Sequence, residues 1–110
     1  MTTLANRALP DTALTIVVTW VPSGSPTTVE RSAESLRAAV QARGIEPVDD
    51  VVDTGRVLAL GPLLRRVLQH GATRVLLGVG GGPVIGNPAW HGMQRVFAAR
   101  AGATVEFIRL

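Results

Sequence analysis

The sequence predicts an α/β fold: a three-layer sandwich with a four-stranded parallel sheet, in the order β-α-β-α-β-α-β. Three observations predict it. β-branched apolar runs alternate along the chain with segments of helical periodicity. The run Arg74 to Val79 is apolar on both faces, as expected of a central parallel strand covered by helices. Gly44, Gly71 and Gly102 fall where helical patterns end, which keeps the connections short. Crossovers in such a sheet are expected to be right-handed.

The elements follow in order. Residues 1–12 read as a flexible N-terminal tail and 13–110 as one domain. Leu14 to Trp20 is rich in β-branched residues and ends in the turn cluster Pro22-Ser23-Gly24-Ser25-Pro26, so it reads as a buried strand and a loop. Thr27 and Glu30 form a capping-box pattern for the first helix, whose apolar stripe is Val29, Ala33, Leu36 and Val40. Glu46 to Asp53 reads as a short strand with an acidic end. Gly61-Pro62 marks the start of the second helix, with proline suited to the first helical position. Leu63, Leu64, Val67 and Leu68 are expected to face inward, and Val57 to Leu60 to form either an extra turn or a connection. After the third strand comes a glycine loop. Asn87 and Pro88 then open a third helix with Trp90, Met93, Phe97 and Ala101 at helical spacing, and Thr104 to Leu110 is the last strand.

Composition excludes several chemistries. The chain has no cysteine, hence no disulfide, thiolate zinc site or cysteine nucleophile, in keeping with a reducing cytoplasm. All 11 basic residues are arginine, which removes Schiff-base and Walker lysines. The net charge of +3 is spread over scattered arginines, and only Trp20, Trp90, Phe97 and Phe107 are aromatic. Nucleic-acid binding needs clustered cations and stacking rings, so it is not expected. No apolar run is long enough to span a bilayer.

Ligands of an open parallel sheet bind beyond the carboxyl ends of its strands. Two loops qualify: Trp20 to Thr28, and Gly80 to His91. Both lead into helix N-termini, where free N–H groups and the helix dipole favour an anion. The candidate ligand-binding residues are Trp20, Ser23, Ser25, Gly80, Gly81, Gly82, Asn87 and Trp90. The run Gly80-Gly81-Gly82 reads either as a ligand loop or as a tight turn in left-handed dihedrals. The glycines at 78, 80, 81, 82 and 86 match neither the P-loop nor the dinucleotide fingerprint. His91 is the candidate catalytic acid or base and the candidate metal ligand. His70 reads as a cation near a helix C-terminus. Asp49, Asp50 and Asp53 suggest an oxygen cluster for a hard cation, but neighbouring acids on a strand point to opposite faces.

Four stretches carry a resemblance. They are Val17-Val18-Thr19-Trp20 leading to Ser23-Gly24-Ser25-Pro26, Ser32-Ala33-Glu34-Ser35-Leu36-Arg37-Ala38, Pro62-Leu63-Leu64, and Gly71-Ala72-Thr73-Arg74-Val75-Leu76. In this order they resemble the small metal chelatases of tetrapyrrole biosynthesis, the sirohydrochlorin cobaltochelatase and ferrochelatase group, over roughly Leu14 to Leu110. The resemblance implies a chelatase-like sandwich, a homodimer, and His91 as ligand to a divalent transition metal such as cobalt or iron. The chain departs from the group after the first strand, where a family histidine is replaced by Thr19-Trp20. The expected function is therefore that of a diverged chelatase-like protein holding a metal, a tetrapyrrole or another flat anionic small molecule above the strand ends. Trp20 and Trp90 would wall that site. Two alternatives stay open. One is a non-enzymatic phosphate-binding or assembly module using Gly80 to Gly82. The other is a small biosynthetic enzyme with His91 as acid or base.

Overall fold

The computed structural model describes residues 13–80 and 88–110, and the side chains of 13–80 and 91–110. The tail expected over 1–12 lies outside the described residues. Seven elements alternate: β1 (Thr15–Trp20), α1 (Pro26–Ala42), β2 (Asp49–Asp53), α2 (Leu60–His70), β3 (Arg74–Val79), α3 (Pro88–Ala101) and β4 (Thr104–Ile108). The four strands form one all-parallel sheet in the order β2-β1-β3-β4. This is the expected α/β sandwich.

The period of two along β1 and β3 builds both faces of the sheet. Val17 and Leu76 point to one side, where they meet Leu36 and Val40 of α1 and Ile45. Ile16, Val18, Val75 and Leu77 point to the other, against Leu63 and Val67 of α2 and Met93 and Phe97 of α3. One helix therefore covers the first face and two cover the second. No helix among the described residues is long and apolar enough to cross a membrane.

Several local expectations shift. The first helix begins at Pro26 and is capped by Ser25, whose Oγ accepts from the Thr28 amide at 3.3 Å; Thr27 is a helical residue, not the cap. Proline at the first helical position fixes φ and has no N–H to satisfy, so the cap moves one residue before it. The second helix starts at Leu60, two residues before Pro62, which still falls in the first turn, where amides lack intrahelical partners. Leu68 faces solvent at 56 % exposure, because Leu63 and Val67 define the buried line and Leu68 lies about 100° further round. Conversely, Ser32 is buried on the inward stripe of α1. The glycines at 44, 71 and 102 close their helices with φ of +72°, +63° and +60°, as expected.

The three aspartates of β2 are structural. Asp49 faces α2, where its Oδ2 accepts from Arg66 Nη1 at 2.7 Å and lies 3.3 Å from His70 Nε2. Asp50 faces α1 and accepts from Arg37 Nε at 2.7 Å. Asp53 Oδ1 and Oδ2 accept from the amides of Gly55 and Ala59 at 2.8 and 3.0 Å, folding the β2–α2 connection. Among the described residues no group of three acids or histidines could hold a metal ion.

The Arg66 hydrogen bond holds the Asp49 carboxyl below its ordinary pKa. A carboxyl whose folded pKa is depressed adds stability above its unfolded pKa, near 4, and loses it as pH falls through the folded value. Asp49 is 16 % exposed and Arg66 48 %, which places the pair between exposed and buried salt bridges. Asp49→Asn is expected to cost about 1–2 kcal/mol at neutral pH and nothing below the folded pKa. Urea unfolding at a series of pH values would show the wild-type and variant curves converging in acid.

Candidate functional site

The strand order creates one topological switch point. β1 connects to β2 on one side while β3 lies on the other, so the chain leaves the ends of β1 and β3 in opposite directions, opening a crevice between them. Trp20 and Val79 are paired in register, and the Gly80 amide donates to the Trp20 carbonyl at 2.9 Å, carrying the ladder one residue past β3.

The turn after β1 is built from its own hydrogen bonds. The Gly24 amide returns to the Val21 carbonyl at 3.1 Å, and Ser23 adopts a left-handed φ of +53° that a non-glycine residue seldom takes. A second connection is fastened to this turn. Val21 and Ser23 donate their amides to the carbonyls of Asp53 and Thr54, and Trp20 Nε1 donates to the Gly55 carbonyl at 2.8 Å. The indole of Trp20 packs against the larger core cluster. It forms a fixed, half-buried wall at the strand end, and its N–H is engaged by the neighbouring loop. The β2–α2 connection, with exposed Arg56 and Val57, thus joins the same end of the sheet. That loop lies outside the two loops that the sequence points to, Trp20 to Thr28 and Gly80 to His91.

The N-terminus of α1 opens onto the crevice. Its first turn contains no acid, and Ser25 and Thr28 exchange a hydroxyl hydrogen bond at 2.9 Å. The Thr27 amide has no partner among the described residues. One turn deeper lies Ser32, 9 % exposed, against the backbone of Gly80. A Cβ on Gly80 would overlap Ser32 Oγ and come within 2.9 Å of Ser32 Cβ and 3.2 Å of Val21 Cγ2. Gly80 is therefore required for space. The alternative of a left-handed turn does not hold at this residue, which is absent from the positive-φ glycines. Ser32 was missed, although the signal was present: Ser32, Leu36 and Val40 are spaced by four, which places a hydroxyl on a core stripe.

The other candidates divide. Ser23 and Ser25 lie at the switch point, in the turn and at the helix cap. Gly81, Gly82 and Asn87 lie outside the described residues, as does the side chain of Trp90. His91 is exposed in the first turns of α3, the helix that follows β3, and so belongs to the carboxyl end of the sheet. His70 ends α2 at the opposite end, beside Asp49 at the start of β2. A shallow groove of about 240 Å³ between α1 and β2 is crossed by the Arg37–Asp50 pair and lies toward the beginning of β2, away from the switch point. No family model, curated protein or solved structure matches the chain.

Proposed function

We propose that the chain binds a small anionic molecule in the crevice between the ends of β1 and β3, on a chelatase-like scaffold. The observation that carries this reading is the switch point itself, onto which an acid-free helix N-terminus opens. Positive helix-end potential, the free Thr27 amide, the Ser25 and Thr28 hydroxyls and the Trp20 wall suit a flat organic anion. Thermal unfolding with phosphorylated compounds, polycarboxylates and tetrapyrroles tests it. Ligand at 100 times its Kd stabilises by about 2.7 kcal/mol, which raises Tm by roughly 10–20 °C in a domain of this size. Thr27→Asp places an acid in the first turn of α1. It is expected to stabilise the free protein by about 0.3–1 kcal/mol through the helix dipole, while abolishing the ligand-induced shift. A shift that survives in Thr27→Asp, or no shift with any anion, would overturn the reading.

The position of His91 at the same end of the sheet supports a second, chelatase-like reading, in which its imidazole takes a divalent transition metal such as cobalt. Stabilisation by Co²⁺ in the wild type and its loss in His91→Ala is the expected result; equal shifts in both proteins would exclude it.

A further inference from the structure

Helices α2 and α3 leave an apolar groove between them on the outer side of their layer, and we propose that it docks an acidic amphipathic helix of another protein. The two helices cover the same face of the sheet and pack side by side. On α2, Leu63 and Val67 point at the sheet, and Arg66 turns aside to Asp49 of β2. The opposite flank, towards α3, carries Leu64 and Leu68. On α3, Met93 and Phe97 point at the sheet, and Gln94 Nε2 donates to the Val105 carbonyl of β4 at 3.4 Å. The opposite flank, towards α2, carries Gly92 and Val96. Leu68 is 56 % exposed and Val96 38 %, and a Cβ built on Gly92 would meet nothing within 4 Å. The groove therefore has apolar walls and room for side chains from outside.

Charge names the occupant. Neither helix contains an acid. Arg65 and Arg95 each stand about 200° round from the buried Leu63 and Met93, on the outermost line of their helix. The helix ends are held level where the Thr104 amide donates to the Thr73 carbonyl at 3.0 Å. The two guanidinium groups thus flank the groove on axes about 8–10 Å apart. Among the described residues neither enters a salt bridge. From residue 54 onward Glu106 is the only acid against seven arginines, and it is paired with Arg43. The complement is a helix with an apolar stripe at i, i+3 or i+4 and i+7, edged by Asp or Glu. A second copy is a poor occupant. Two-fold pairing would set the arginines against each other, and the exposed acids Glu30 and Glu34 belong to α1, whose apolar stripe is buried. A flat bilayer would meet the arginines first, because the apolar side chains are set back on the facing flanks.

The test selects a displayed library of helices about 20 residues long, randomised among apolar, acidic and basic positions, against the wild-type protein. Enrichment of acid-edged apolar stripes is expected. A synthetic peptide of the enriched sequence then serves as the binding probe. Arg65→Glu combined with Arg95→Glu is expected to weaken its binding by at least about tenfold, and Leu68→Ala by about tenfold. Arg31→Glu combined with Arg109→Glu makes the same change of net charge outside the groove and is expected to alter binding by at most about twofold. All these substitutions are at exposed positions, so Tm is expected to stay within about 4 °C of wild type for each change. Selection without acidic enrichment overturns the proposal, as does wild-type affinity in the Arg65 and Arg95 double variant or in Leu68→Ala. Binding to phosphatidylserine vesicles without binding to any selected peptide makes the occupant a bilayer and also overturns it. So does a dimer in sedimentation that Leu68→Ala dissociates, which would make the occupant a second copy.

Discussion

A Gly80→Ala protein is expected to lose about 3 kcal/mol of stability, the upper end of the usual cost of overpacking. The methyl group would be driven into Ser32, whose Cβ lies 2.9 Å from its ideal position. Neither neighbour can easily give way. Ser32 belongs to the middle of α1, and Gly80 is tied by its amide to Trp20. Gly78→Ala is the informative comparison. Its new methyl would meet the ends of Leu36 and Leu110 at 3.1 Å, and flexible side-chain termini can move. That variant is expected to lose about 1–2 kcal/mol. Ser32→Gly should restore much of the loss in a Gly80→Ala background, whereas Ser32→Ala, which keeps the Cβ, should restore less. The double-mutant cycle would show strong coupling between positions 32 and 80. Additive effects would mean that the two residues do not touch.

Phe97→Ala is expected to be the most damaging single truncation, at about 3–5 kcal/mol. Among the described residues Phe97 is the largest fully buried side chain, at 0 % exposure, and it belongs to the cluster that joins α2 and α3 to the sheet. Removing its ring opens a cavity within that cluster, and the surrounding helices relax only partly into it. A domain of this size is stable by about 5–15 kcal/mol in total, so Tm should fall by at least 12 °C or so. Phe97→Leu keeps most of the volume and should cost about 1–2 kcal/mol. Urea titration would show a lower midpoint with an unchanged slope. A loss under about 1 kcal/mol in Phe97→Ala would contradict the packing of α3.

The two variants differ in how legible they were. Phe97 followed from helical spacing with Met93, and the double-sided run of β3 announced a central strand. The glycines that end the helices, and the opposed faces of Asp49 and Asp50, also followed from local rules. Such features depend on periods of two and 3.6 residues and on single-residue conformational preferences. What local pattern did not reveal was contact between distant segments. The pairing of Ser32 with Gly80, the Trp20 indole bonded to Gly55, and the β2–α2 loop at the switch point each join positions far apart in the chain. The apolar stripe of the second helix was drawn too wide at Leu68 for the same reason, because only the packed sheet decides where such a stripe ends. The site was legible as a location, the loops after β1 and β3. Its chemistry was not, since a serine cap, a serine in a turn and a serine against a glycine look alike in sequence.

The placement of β1 in the middle of the sheet has a consequence for how the chain acquires its fold. Of the described strands, the earliest to be synthesised is the one that needs partners on both sides, and its second partner is β3, with Val17 opposite Leu76. Every ladder in this sheet is non-local, which places folding in the slower range for a domain of its size. At 5–20 residues per second, the ribosome needs roughly 3–12 s to make the intervening 60 or so residues. Through that interval Ile16, Val17 and Val18, all finally sealed from water, remain without the strand that completes their cover. Nascent β1 is thus the segment most exposed to chaperones and to mispairing, and the β3 ladder is the step that ends its vulnerability.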